Sequence, residues 1–285
     1  MTFSFFVILW LVITVLLSVE FYLLNTLPSL SVCHFVQSHT GLFDGLSLSP
    51  EPGRPISWLL GCAGFTFMLL TNLYIIRKRV PLFANWGRLS GWLNVHIFFG
   101  LLGPTLIIFH SNFKVRGLVS VSFWSMIISA VSGIVGRYFY IQLLRQGSEL
   151  EQISGYCADY LEKARAKVSS EVSEQALTVL KERALRWAGV PKGPATSLGL
   201  LGALAASVIG DVRLMIMPPR TSSHFPVKTR YALEKYALAN RRLFFIDYFQ
   251  QLMGYWHAFH IPFAVFMYLV GVIHIVVAVL FSSGH

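Results

Sequence analysis

The sequence predicts an all-α integral membrane protein, a five-helix transmembrane bundle (six if residues 195–217 cross) with a helical cytoplasmic insertion. Three observations predict it. The 285 residues are 55% hydrophobic and 13% charged, about half the charged share of a soluble domain, and the mean hydropathy is +0.61. Five apolar runs approach the roughly 20 residues that a helix needs to cross a bilayer. The basic residues behind a net charge of +10 gather between those runs, where they act as topology signals toward membrane lipid and give no reason to expect nucleic acid.

The first run, residues 3–24 (FSFFVILWLVITVLLSVEFYLL), reads as a retained transmembrane anchor, because no Lys or Arg precedes Arg54 and no small-residue cleavage pattern follows. Glu20 near its end reads as an interfacial residue, with a proton or partner contact as the alternative. The other spans are expected at 57–76, 90–110, 117–144 and 254–281. The loop 77–88 carries Arg77, Lys78, Arg79 and Arg88, whereas the longer loop 25–56 carries Arg54. By the positive-inside rule 77–88 is cytoplasmic. The N-terminus is then cytoplasmic as well, and 25–56, 111–116 and the C-terminus lie outside.

Residues 145–242 change character. Ser148 and Glu151 have the spacing of a capping box at a helix start. Leu150, Ile153, Cys157, Tyr160, Leu161 and Ala164 follow at helical spacing, and a second charged helix near 171–188 ends at Gly189 and Pro191. These predict amphipathic helices that pack together or lie on the membrane surface. The apolar run 195–217 is interrupted by Asp211 and Arg213. A crossing there would place Arg220, Lys228, Arg230, Lys235, Arg241 and Arg242 outside against a single acid, Glu234, so a buried or re-entrant cytoplasmic helix is expected. The organisation is thus helices 1–4 over 1–144, the insertion over 145–242, and a last span within 243–285.

Cys33, Cys62 and Cys157 are scattered, without the spacing of a disulfide scaffold, zinc site or iron–sulfur cluster. The histidines are more ordered. His96 and His110 are 110 − 96 = 14 residues apart on the third span, and His260 and His274 are 274 − 260 = 14 apart on the last. Fourteen helical steps return to within roughly 40° of the starting direction after a rise of about 21 Å, so each pair faces one way at two depths. A haem iron held by two imidazoles takes one from each side of the macrocycle, and two facing helices supply that. Two levels predict two haem b groups. If both helices run from inside to outside, His96 pairs with His260 near the cytoplasm and His110 with His274 near the outer surface; a crossing at 195–217 would reverse the pairing. A polar residue satisfied inside a bundle is the plainer explanation of a single intramembrane histidine, and two pairs at one spacing argue against it.

His257 is 17 residues from His274, off the shared face, and is expected to contact a propionate or quinone or to support a ligand. Pro262 either kinks the last helix beside His260 or resets its geometry locally. Gly91, Gly100, Gly103 and Gly271 lie near the histidine levels and suit either a flat macrocycle or tight helix packing. Haem propionates favour cations at the membrane boundary: Arg88 and Arg137 suit the cytoplasmic-side haem, Lys114 and Arg116 the outer one. His34, His39, His224 and His285 are expected to be solvated.

The paired histidines resemble those of the bis-haem membrane cytochromes b, including the cytochrome b of quinol-oxidising complexes and the ferric reductase-like transmembrane domain, over roughly 90–144 and 243–281. SGIVGRYFYIQLLR and WHAFHIPFAVFMYLVGVIHIVVA are similar to bacterial di-haem b-type subunits that work beside c-type cytochromes or iron–sulfur proteins. The resemblance implies axial ligation by His96, His110, His260 and His274, and a bacterial inner (cytoplasmic) membrane location. The sequence has no Gly-rich dinucleotide fingerprint and no PEWY motif, and no flavin or nicotinamide domain is read after the last span. The expectation is therefore an electron-transfer subunit between membrane quinone and a partner redox protein, not a self-contained enzyme. The rivals are a non-catalytic anchor or assembly subunit, and a transporter or proton channel using Glu20, Asp211 and Arg213.

Overall fold

The computed structural model of the chain describes residues 3–41, 45–83, 85–115, 117, 119–144, 147–168, 174–191, 199–216 and 227–282. Among the described residues every element is helical: α1 (Phe3–Thr26), α2 (Val32–Thr40), α3 (Pro55–Leu70), α4 (Leu73–Arg79), α5 (Leu89–His110), α6 (Val119–Gln142), α7 (Gly147–Val168), α8 (Glu174–Trp187), α9 (Leu200–Ile216) and α10 (Val227–Ser282). Five helical stretches are long and apolar enough to cross a membrane: α1, Pro55–Arg79, α5, α6 and α10. The chain forms an all-α membrane bundle. It divides into two compact units, residues 1–135 with 259–285, and residues 136–258.

In the first unit, α1 lays Phe6, Leu9, Trp10, Ile13 and Leu17 against Phe98, Leu102 and Leu106 of α5. Both sets recur at three- and four-residue spacing, so each occupies one helical face. Inside lipid this contact gains from van der Waals packing more than from expelled water. Trp10 Nε1 adds a 3.1 Å bond to Thr105 Oγ1. Glu20 ties the following segment to α1, because its carboxylate accepts from Ser31 Oγ at 2.6 Å, from the Val32 amide at 3.0 Å and from the Cys33 amide at 2.9 Å. These amides open α2, where a helix lacks internal acceptors and favours negative charge. A region expected to be loop therefore holds a short helix anchored by one carboxylate.

α3 and α5 approach through glycines. A Cβ on Gly64 would lie 3.0 Å from the Gly103 carbonyl, and one on Gly103 would lie 2.6 Å from Met68 Cγ. The expected span 57–76 is broken at Thr71–Asn72. Met68 O, which Asn72 N would normally use, instead accepts from Thr71 Oγ1 at 2.6 Å and from Tyr268 OH at 2.5 Å, while Asn72 N turns to Leu69 O. Side-chain hydroxyls have displaced a helical bond. Met68, Met126 and Met267 then join α3, α6 and α10 in one core.

In the second unit, α7, α8 and the start of α10 share a core of Leu161, Leu177, Ala184, Ala188, Ala232, Leu233 and Ala237. The amphipathic helices thus pack on one another. Gly147 is already helical, so Ser148 sits inside the first turn and not at the cap. α8 stops before Gly189, whose φ of +79° is the left-handed conformation that glycine adopts without strain. A second core, Phe139, Ala203, Phe245, Phe249 and Leu252, joins α6, α9 and α10. α10 is a single helix of 56 residues, not a helix begun at 254. Residues 227–253 hold no Pro or Gly and many strong helix formers, including Ala232, Leu233, Glu234, Ala237 and Ala239. A hydropathy reading locates the apolar end of such a helix and misses the rest.

Candidate functional site

All four paired histidines belong to the first unit. α3 and α5 run antiparallel, so a 14-residue step along one matches the same step back along the other. Ser57 of α3 accordingly meets His110, and Thr71, at 71 − 57 = 14, meets His96. His110 Nδ1 lies 2.7 Å from the Ser57 carbonyl oxygen, and Ser57 Oγ donates back to the His110 carbonyl at 2.8 Å. His96 Nδ1 lies 2.9 Å from the Thr71 carbonyl oxygen, which the helix break helps to expose.

A carbonyl oxygen can only accept, so a ring making this contact presents its proton on Nδ1, and a neutral ring would keep its lone pair on Nε2. Metal-ligating histidines characteristically have this second contact, which sets tautomer and ring rotation. Gly61 gives His110 its place: a Cβ there would lie 2.8 Å from His110 Nδ1 and 2.9 Å from Cε1.

On the other side of each pair, Ser132 of α6 reaches His260 Nδ1 at 2.7 Å. His274 lies within electrostatic reach of His110. His96 and His260 are held by different neighbours, the Thr71 carbonyl after α3 and Ser132 of α6. At the His96 level, Tyr268 OH bonds Met68 O and lies 3.1 Å from both Thr71 Oγ1 and Asn72 Nδ2, so the residue holding His96 belongs to a larger polar knot.

The glycines divide. Gly103 packs on α3, and a Cβ on Gly271 would lie 3.1 Å from Phe65 Cε2, whereas a Cβ on Gly91 would meet open space and one on Gly100 would meet Thr71 Cγ2 at 4.0 Å. Arg88 is the residue at the N-cap of α5 and Lys114 lies in the turn after it, both exposed. Arg116 lies outside the described residues, as do His224 and His285. Arg137 and His257 belong to the second unit. Arg137 rests over the Tyr140 ring at 5.5 Å; His257 is exposed, with Nδ1 2.8 Å from the Met253 carbonyl of its own helix. His39 stacks on Phe35 at 4.1 Å, also at the surface.

Sequence reasoning missed Ser57, Gly61, Thr71, Ser132 and Tyr268. The 14-residue separation of Ser57 and Thr71 on the neighbouring span was a usable signal for two of them. Among the described residues no three His, Cys, Asp or Glu side chains gather as a metal cage; a haem level asks for two imidazoles. Comparison of the chain with protein-family models, curated proteins and solved structures found no match.

Proposed function

We propose that the chain is a di-haem b-type cytochrome subunit that transfers electrons across the membrane between the quinone pool and a partner redox protein, a c-type cytochrome or an iron–sulfur subunit. The observation that carries this reading is the pair of carbonyl contacts from Ser57 and Thr71, which turn His110 and His96 into oriented ligands with Nε2 left for iron. A histidine buried merely for packing has no need of one tautomer repeated at a 14-residue interval.

The donor set fits haem. His96 with His260, and His110 with His274, would hold the two groups, and each bound haem supplies a one-electron iron couple. The chain's own part is electrostatic and geometric. A carbonyl accepting from Nδ1–H raises the basicity of Nε2 and holds the ring against rotation. Gly61 keeps the space beside His110 clear, and the apolar helices exclude water. Arg88 stands at the start of α5 and Lys114 in the turn after it, where cations pair with propionates. The basic 77–88 loop supports a cytoplasmic N-terminus and an outer C-terminus in a bacterial inner membrane.

The test is a reduced-minus-oxidised spectrum and a haem count on the purified full chain expressed with haem supplied. Two b-type haems per chain, reducible by a quinol, are expected. Protein that is folded yet has no b-type band overturns the proposal.

A further inference from the structure

His96 and His110 make the same contact, Nδ1 to a carbonyl of the neighbouring segment, but the two carbonyls are bared in different ways. In an α-helix the side chain four residues on leans back over the carbonyl of residue i. For Ser57 that residue is Gly61, since 57 + 4 = 61, and a Cβ there would lie 2.8 Å from His110 Nδ1. Both lie within α3 (Pro55–Leu70), so at this level a missing side chain admits the ring to an intact helix. For Thr71 the corresponding residue is Ile75, since 71 + 4 = 75. On a continuous helix its β-branched side chain would stand where the His96 ring approaches. This level needs another device, and the break in the helix supplies it.

The break is held from another helix. Tyr268 OH donates to Met68 O at 2.5 Å, and Thr71 Oγ1 donates to the same oxygen at 2.6 Å. Asn72 N, which would close a regular turn on Met68 O, bonds Leu69 O at 3.0 Å, while Asn72 Nδ2 donates to Tyr268 OH at 3.1 Å. The tyrosine hydroxyl thus takes the place of an amide and ties down the residue that carries it. Beyond the break, Thr71 O receives the amide of Tyr74, three residues on, at 3.2 Å, and the Ile75 side chain is exposed. The His96 ring then reaches the carbonyl. The Tyr268 ring stands edge to face with Phe65, centroids 6.3 Å apart, a contact that does not need the hydroxyl.

We propose that Tyr268 is a positioning residue for His96: by binding Met68 O it holds the helix open at Thr71 and so bares the carbonyl that orients the ring. Tyr268 does by opening a helix what Gly61 does at His110 by lacking a side chain. The inference deepens the haem reading, but only the redox arm of its test rests on that reading, since the ring contact can be read in haem-free protein.

The full chain is prepared in detergent with its histidine ring nitrogens isotopically labelled, and the His96 signals are assigned by their loss in His96→Gln. Nitrogen shifts distinguish the protonated ring nitrogen from the bare one, and the haem-free wild type should show the His96 proton fixed on Nδ1. Tyr268→Phe keeps the ring against Phe65 and removes the hydroxyl; the His96 proton should then divide between the two nitrogens, with His110 unchanged. Adding Ile75→Gly, which gives the closed helix the gap that Gly61 provides, should return the proton to Nδ1. With haem supplied, Tyr268→Phe should raise the midpoint of one haem and leave the other, because an imidazole without its carbonyl partner is a weaker donor to iron, and Ile75→Gly should reverse the shift. If the wild type binds no haem, the haem reading fails and the ring signals still decide on Tyr268. A His96 proton that Tyr268→Phe leaves in place overturns the proposal even where stability falls, as does an equal change at His110 or no recovery with Ile75→Gly. Should Tyr268→Phe not fold, Thr71→Val takes the other hydroxyl from Met68 O and keeps the carbonyl. The same redistribution in smaller measure is expected there, and an unchanged His96 proton overturns the proposal.

Discussion

The two units treat buried polarity in opposite ways. In the second, Asp211 and Arg241 close on each other, and Tyr138, Gln142 and the Ser207 carbonyl take up most of what remains. In the first, His96 and His110 each spend one ring nitrogen on a main-chain carbonyl of α3 or the turn that follows it. The contrast separates a polar group whose hydrogen bonds are answered by side chains within the chain from one that a main-chain carbonyl orients through a single ring nitrogen.

The largest effect expected from this difference is on haem. His96→Ala and His110→Ala should each halve the b-type absorbance per chain, and the double variant should abolish it, with helix content unchanged by circular dichroism. If neither single variant loses haem, the histidines of the first unit are as self-contained as the ion pair of the second and the contrast collapses.

Next comes Asp211→Asn. Breaking a buried pair by removing one partner costs about 3–5 kcal/mol, and because Asp211 is 34% exposed solvent screening brings the expected loss to about 2–3 kcal/mol. Unfolding of the purified chain measures it. Haem content should hold while stability falls, and Asp211→Leu combined with Arg241→Met should recover much of the loss, since neither charge is then left alone. Haem lost without a fall in stability would break the separation of the two regions.

What can be read from the sequence divides along the same line. The five spans are legible because lipid demands long apolar runs, and the amphipathic α7 and α8 because their apolar residues keep helical period. The start of α10 is not, since Val227–Met253 forms helix through propensity and core alanines that a hydropathy scan passes over. The break at Thr71 depends on Tyr268, almost 200 residues away in the chain, bonding the Met68 carbonyl; no local pattern announces that. In the candidate site the spacing of the four histidines is readable, because periodicity fixes it. The residues that turn them, Ser57, Thr71 and Ser132, act through a backbone carbonyl or a single hydroxyl, and such contacts have almost no sequence signature. Asp211 reads as an interruption of an apolar run because its partner, Arg241, lies 30 residues on and on another helix.

Gly61 sharpens the comparison at smaller cost. Gly61→Ala would set a methyl against the His110 ring, and overpacking of this kind costs about 1–3 kcal/mol. The expected result is a weakened or displaced haem at the His110 level with the His96 level intact, resolved by separate redox midpoints. Gly91→Ala, facing open space, should leave both midpoints unchanged. Ser132→Ala is milder: it removes the hydroxyl at His260 Nδ1, worth about 0.5–1.5 kcal/mol, and should shift the midpoint of the haem proposed at His260 without releasing it.

The smallest effect concerns the Glu20 cap, a polar group of the first unit that is closed on itself in the manner of the second. Burial, then the hydrogen bond and negative charge of Glu20, push the Cys33 thiol up to about 11. The thiolate is the reactive form. In a chain with Cys62 and Cys157 changed to Ser, iodoacetamide should therefore modify Cys33 slowly at pH 8, and the rate should rise about tenfold per pH unit until it levels near that value. Glu20→Gln keeps an oxygen for Ser31 but removes the charge, so the profile should move to lower pH and alkylation at pH 8 should quicken. An unmoved profile would mean that burial alone holds the thiol protonated, leaving Glu20 to act on the α2 amides and not on Cys33.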